Sequence, residues 1–338
     1  HMKYSLAVPF MQRLFDLACA GGFTGQITAN SFMKREFGKK LIEQFLPTVD
    51  LTHVIDTSGA YIPGHGTPTV ILFGRHRKPM VKTIRAVMGI RGEPSTPDDP
   101  GQGLVWSAIV AQIDQPRSQS EFVSVEDSSR DAFHKHPWSI GGGGAAELKE
   151  LIDAVCDNVL ADEILAIGFM AIASEDDAFI LNPDYASRRR LRVRPFITGD
   201  GLRDWCASSN EVAIFPYDDT KEVRAQEYRG GASTTLHFWA YRATLRARSM
   251  FGKTPEEHGM KWYEYMQFIR PRVRATVLLA FSSVATHNQF CIVRGPAILN
   301  RHAPVIDFPE DAPDDHRTGL LGLLNSSVAC FWMKQIFH

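Results

Sequence analysis

Four basic residues crowd one short stretch: Lys34, Arg35, Lys39 and Lys40 follow the apolar segment that ends near Ala29. Cations just past the carboxyl end of a strand suit phosphate, because the first N–H groups and the dipole of a following helix also attract an anion there. The ordinary alternative is an amphipathic helix with a solvated polar side. A second group is ASRRRLRVRPF, with five arginines between Arg188 and Arg194. On an extended strand Arg188, Arg190, Arg192 and Arg194 would share one face. Their planar forks pair bidentately with phosphate or with guanine O6 and N7. Arg242 and Arg246 stand one helical turn apart in LHFWAYRATLRARSM, with Arg248 just beyond, and Arg270, Arg272 and Arg274 alternate in IRPRVRA as on a strand. Each run also reads as solvated surface. Tyr61 lies in a glycine- and proline-rich turn, GAYIPGHGTP. Such a ring either plugs a core or offers a platform for a planar base, a contact worth about 1–3 kcal/mol.

The elements that would position these groups follow from periodicity. Leu6, Phe10, Leu14 and Leu17 recur at helical spacing in KYSLAVPFMQRLFDLA, which Gly21-Gly22 ends. A short buried strand is expected over residues 24–28. Ser31 then reads as the N-cap of a helix with Met33, Phe37, Leu41 and Phe45 on one face. THVID and TVILFG read as strands on either side of the Tyr61 turn. That order suits the last part of an α/β sheet. Residues 89–103 read as a linker or exposed loop, and residues 104–125 as weak strands. HPWSIGGGGAAELKEL reads as a glycine turn opening a helix; it lacks the Lys-Ser/Thr of a phosphate loop, and Glu147 and Glu150 repel phosphate. Its histidines, His134 and His136, have no cysteine or carboxylate cluster that would make a zinc site. Further on, strands are expected at 164–173 and 178–181, and helices at 236–250 and 320–336. The first of those helices would pack through Leu236, Trp239, Ala240, Ala243 and Ala247.

The 338 residues, 44% apolar and 22% charged, are enough for two or three globular domains. A net charge of −1 excludes a polyelectrolyte binder, so any anion-binding face must come from local clustering. Five scattered cysteines, without a C-x-x-C pair, fit free thiols in a reducing, cytoplasmic compartment. No apolar run reaches membrane-spanning length. His1-Met2 reads as an added pair, so the chain is expected to be a fragment of a longer protein.

The stretches ITANSFMKREFGKKLIE and THVIDTSGAYIPGHGTPTVILFGR resemble the late motifs of adenine-N6 DNA methyltransferases. More narrowly they resemble the PglX methyltransferases of BREX phage-defence systems and the type IIG restriction–modification enzymes. RLRVRPFITGDGLRDW and EVAIFPYD are similar to elements that open the specificity region of such enzymes, and KWYEYMQFIRPRVRA and GLLGLLNSSVACFWMKQ to two later ones. The matches stand in the family's order over most of the chain.

The resemblance implies the carboxyl-terminal part of a class I, Rossmann-like methyltransferase sheet over residues 3–85. A connecting or inserted region would follow over 86–135, and a mixed α/β target-recognition domain over 136–338. It implies methyl transfer from S-adenosylmethionine to adenine N6 in duplex DNA, with Tyr61 (or Ile62 in a shifted register) stacking on the flipped-out base. Lys34, Arg35, Lys39, Lys40 and the arginines named above would bind DNA. The family's glycine-rich cofactor loop and its N-P-P-Y/F tetrapeptide are not seen. The nearest string, NPDY at 182–185, has Asp184 in place of a proline and reads as a coincidence. The cofactor site and tetrapeptide are therefore expected upstream, and no metal is implied. Duplex DNA, other defence-system proteins and a second copy are the partners the resemblance suggests, with no membrane. The alternative is a DNA-recognition or scaffold module without catalysis.

Overall fold

Alternating apolar residues at 23–29, 50–56, 69–75 and 83–89 build the sheet that organises the first half of the chain. The computed structural model describes residues 5–203, 205–219, 223–227, 233–309 and 311–337. Lys3 and Tyr4 of the first expected helix, and Asp204 of the RLRVRPFITGDGLRDW element, lie outside them. The chain divides into two compact units, residues 1–157 with 331–338, and residues 158–330.

In the first unit, helix α1 (Ala7–Leu17) leads into β1 (Phe23–Ala29), followed by β2 (Asp50–Asp56), β3 (Thr69–Arg75) and β4 (Thr83–Gly89). Then come helix α2 (Leu104–Gln112), β5 (Ser118–Gln119), β6 (Val123–Ser129) and helix α3 (Ala145–Val155). The sheet order is β1-β3-β2-β4-β6-β5. β3 runs antiparallel to both β1 and β2, so those two are parallel to each other, and β4 is parallel to β2. β6 returns antiparallel beside β4. Residue 85 thus falls inside β4, and residues 86–135 supply two further strands of the same sheet.

Period-two alternation sends neighbours to opposite faces. Val54, Val70, Leu72 and Ile84 meet Met11, Phe15, Phe32, Leu41, Ile42 and Trp138 on one side. Ile55, Val87 and Val125 meet Val105 and Ile109 of α2 on the other. The weak strands expected over 104–125 are corrected by this packing: LVWSAIVAQ is apolar all round, which a two-residue period cannot separate from a buried helix.

The helix expected from Ser31 is a succession of tight and wide turns: 3₁₀ at Asn30–Met33 and Glu36–Gly38, π at Leu41–Phe45 and 3₁₀ at Leu46–Thr48. Ser31 makes no capping bond with its side chain, because the first turn starts at Asn30 with Ala29 in the capping place. The turn breaks where Gly38 folds against the backbone of Phe32; a Cβ there would sit 1.8 Å from the Phe32 carbonyl oxygen. Gly38→Ala is therefore expected to lower unfolding free energy by about 3 kcal/mol, the upper range for forced overpacking. A urea midpoint that matches Gly66→Ala, where nothing lies within 4 Å, would contradict this.

The second unit carries two four-stranded sheets. One has the order Ile298–Leu299, Val193–Ile197, Glu211–Ile214, Ile180–Leu181; the other Phe290–Arg294, Val277–Phe281, Val305–Asp307, Ala166–Gly168. Two two-stranded pairs and short helices complete it. An aromatic core joins them: Tyr217 stacks on Phe268 at 4.2 Å, and the Tyr265 hydroxyl donates to the Ile214 carbonyl at 2.6 Å. The strand expected over 164–173 is two short strands in different sheets, and that over 178–181 is a helical turn, Asp176–Phe179, running into Ile180–Leu181.

Both long helices expected here break in two. Ser233–Ala240 and Arg242–Ala247 are separated at Tyr241. Their buried positions are Phe238 and Leu245, while the expected packing stripe from Leu236 to Ala247 is exposed. Asp314–Leu324 and Ser327–Ile336 are separated at Asn325. There the Asn325 side chain accepts from the Phe290 N–H at 3.0 Å and donates to the Phe290 carbonyl at 2.9 Å, extending the edge strand with an amide.

Candidate nucleic-acid interface

In the first unit the parallel strands β1 and β2 end at the segments that hold Arg35, Lys39, Lys40 and Tyr61, and ligands of open α/β sheets bind at such carboxyl ends. The Tyr61 turn is stapled at both ends. The Thr57 and Thr69 hydroxyls share a hydrogen bond of 2.7 Å, and the Thr57 N–H donates to the Thr69 carbonyl at 3.1 Å. The Asp56 carboxylate accepts from the Ser58 N–H at 2.9 Å. Burial pushes the Asp56 carboxyl above the usual range, opposed by hydrogen bonds from Ser58 and Gly89 and by the charge of Lys34. Gly59 presses on a second loop, where a Cβ would lie 3.0 Å from the Gly92 Cα, and the Gly59 carbonyl accepts from Glu93 at 2.9 Å. Tyr61 and Ile62 are held on this platform half-buried, neither sealed in the core nor fully in solvent.

Of the four basic residues opening the chain's candidate list, Lys34 is turned inward. Its Nζ donates to the carbonyls of Lys334 at 2.7 Å and Phe337 at 3.3 Å, satisfying the end of the last helix. Burial lowers its pKa, partly offset by Asp56. Arg35, Lys39 and Lys40 are exposed. The Gly141–Gly144 run holds no ligand cradle: a Cβ on Gly142 would meet the Met88 carbonyl and the Ser124 hydroxyl, each at 2.7 Å, so the run packs against its own sheet.

In the second unit the arginine run does not form one strand face. Arg188 ends the helix Pro183–Arg188, Arg190 has a left-handed φ of 52°, and only Arg194 lies within a strand. The cause is local. Asn182 caps the helix, its Oδ1 accepting from the Asp184 N–H at 2.9 Å, and Pro183 takes the first position. The NPDY string is thus a helix start. Arg192 and Arg194 converge on the exposed carboxylate of Asp219, the second at 3.0 Å. The Arg194 guanidinium lies 3.5 Å from the Phe215 ring centre, and its Nη1 has no hydrogen-bond partner among the described residues.

Arg270, Arg272 and Arg274 lie on a helix rather than a strand, because Pro271 at its second position starts a turn. Arg270 and Arg274 are exposed. Arg272 points inward, donating to both Asp307 carboxylate oxygens at 3.0 and 2.8 Å and to the Phe169 carbonyl. Arg274 and Arg194 line one cleft of about 290 Å³. Arg242 sits 4.3 Å over the exposed Trp239 ring, and Arg246 pairs with Glu256 at 2.8 Å. Arg248 is buried, donating to the carbonyls of Leu245, Ala173, Trp262 and Glu264; burial brings its pKa down to about 10. Its position in a basic run hid that role.

A larger cleft, about 470 Å³, lies between Ser174–Asp177 and Asn300–His302. The two segments are far apart in sequence, so no local spacing marked them.

Both units together have the fold of a solved type IIL restriction–modification enzyme, MmeI in complex with DNA. The TM-score is 0.54 at 11% identity, over 98% of this chain and 38% of that one. The type IIG restriction endonuclease BpuSI aligns at a TM-score of 0.36 and 12% identity over 99% of this chain and 40% of that one, below the level that marks a common fold. In sequence, the chain is 42% identical over 354 aligned residues to the adenine-specific methyltransferase PglX of Streptomyces coelicolor, across 99% of its own length. It spans 29% of that protein. No family model matches. Among the described residues no helix is long and apolar enough to cross a membrane.

Proposed function

We propose that this chain is part of an S-adenosylmethionine-dependent methyltransferase that modifies adenine N6 within a specific sequence of duplex DNA, in a cytoplasmic phage-defence or restriction–modification system. The observation that carries this is the 42% identity to PglX over 99% of the chain. The first unit then contributes the carboxyl-terminal part of the methyltransferase sheet. The reversed strand β3 between parallel β1 and β2, with the Tyr61 turn joining β2 to β3, supports that assignment. The second unit contributes target recognition. S-adenosylmethionine supplies the methyl group, but the glycine run of this chain does not fit it, since its own backbone and Ser124 fill the space. The cofactor site and the catalytic tetrapeptide are assigned to the larger part of the protein that this chain's relative possesses and this chain does not span.

The half-buried Tyr61 ring suits stacking on an everted adenine, because extrusion is needed to free an amino group otherwise paired inside the duplex. Arg35, Lys39, Lys40, Arg188, Arg190, Arg192, Arg194, Arg242, Arg246, Arg270 and Arg274 remain phosphate or base contacts in this proposal. Arg272 and Lys34 do not, since their donors are spent inside the fold.

Two measurements test it. A longer polypeptide carrying this sequence is expected to transfer a labelled methyl group to adenine N6 of duplex DNA; no transfer to any duplex leaves only a binding module. In this chain alone, Arg194→Ala and Arg274→Ala are each expected to weaken duplex binding. Each should also reduce the slope of log K against log salt by about 0.9, the value for one phosphate contact. Unaltered slopes would return both arginines to solvated surface.

A further inference from the structure

Helix α1 is apolar on two sides. Met11 and Phe15 face the sheet and are fully buried, whereas Leu6, Phe10, Leu14 and Leu17, the stripe at regular helical spacing, are 44–66% exposed. A helix apolar all round is ordinarily covered all round. The strand that follows has the same incompleteness. β1 is an edge strand, paired only with β3 among the described residues. Phe23 and Ile27 on its outer face are 79% and 57% exposed, and Phe73 beside them on β3 is also exposed. On its other face Thr24 Oγ1, Gln26 Nε2 and Asn30 Oδ1 are buried without a hydrogen-bond partner. An open, apolar edge with orphaned polar atoms is a template for another strand.

We infer that the six-stranded sheet continues past β1, through a parallel strand supplied by a further segment of the same longer polypeptide. Three features select that occupant. Parallel neighbours need a crossover, ordinarily a helix packed on one face, and α1 runs directly into β1 in that manner. The segment 30–48 makes the same connection from β1 to its parallel partner β2. The apolar surface flanks the edge on both faces, so the cover must bring its own helical layers, which one added strand from a second copy does not. The relative extends well beyond the 29% matched here, which leaves ample chain for it. The inference rests on the surface and holds whether or not the methyl-transfer reading does.

Hydrogen exchange tests it, read on the β1 amides that β3 leaves unbonded. In the 338-residue chain these are expected to exchange fast. In a longer polypeptide carrying this sequence where the relative carries it, they are expected to slow by at least about 100-fold. Ile27→Lys should leave the melting temperature of the 338-residue chain unchanged, yet restore fast exchange in the longer polypeptide. Equal, fast exchange in both overturns the inference. So does protection in the chain alone accompanied by a dimer in sedimentation, which would make a second copy the occupant. Protection in the longer polypeptide without methyl transfer would sink the proposed function and leave the sheet extension standing.

Discussion

Replacing Tyr61 by alanine in a longer, active polypeptide is expected to lower adenine methylation about 5- to 150-fold, the equivalent of 1–3 kcal/mol of lost base stacking. Duplex affinity on non-specific DNA should change little, because that affinity comes from phosphate neutralisation, to which a tyrosine adds nothing. The separation follows from how the ring is held. Its turn is fixed by the Thr57–Thr69 hydrogen bond and by the Gly59–Gly92 approach, so the side chain can be removed without releasing the loop. Tyr61→Phe keeps the π face and should retain most of the rate. If alanine and phenylalanine behave alike at the wild-type rate, Tyr61 is not the stacking residue, and Ile62, half-buried on the same turn, becomes the position to test.

Arg272→Ala is expected to destabilise the second unit by about 3–5 kcal/mol, the cost of stranding one partner of a buried ion pair. Arg272 is almost wholly buried, and its fork satisfies Asp307 at both oxygens as well as the Phe169 carbonyl. Removing the guanidinium leaves an anion and a carbonyl in an environment that cannot solvate them. Gly168 packs against the same guanidinium, with a would-be Cβ 2.7 Å from Nη1, so no larger side chain can reach in to help. The double variant Arg272→Met with Asp307→Leu should recover most of the loss, since replacing a whole buried pair by apolar groups is near neutral. Urea denaturation of the three proteins measures this. Arg272→Lys separates structure from DNA binding: it keeps the charge and loses the fork. The expected result is a lower urea midpoint with an unchanged salt slope for duplex binding. A shallower slope with full stability would return Arg272 to the DNA-facing set.

These two residues show where reading the chain succeeds. Tyr61 was legible because local features mark it: a glycine- and proline-rich turn between two β-rich runs is a short-range pattern, and the strands appear where it placed them. Arg272 was not. Its alternation with Arg270 and Arg274 suggested a strand, but Pro271 starts a helix, and on a helix the middle arginine turns away from the outer two. Lys34 and Arg248 misled in the same way. A cation in a basic run carries no mark of whether carbonyls from distant segments will surround it.

The sequence by itself determined the alternation of helix and strand through residue 75, the apolar faces of those strands, the position of the Tyr61 turn and the likeness to adenine-specific methyltransferases. All of these depend on residue types a few positions apart, where backbone preference and side-chain period act directly. Only the tertiary structure decided which of α1's two apolar sides is covered and which arginines are spent inside the fold. It alone drew residues 86–135 into the first sheet and brought Arg194 and Arg274 to one cleft. Burial and ion pairing depend on what distant chain segments bring within a few ångströms, and no local spacing encodes that.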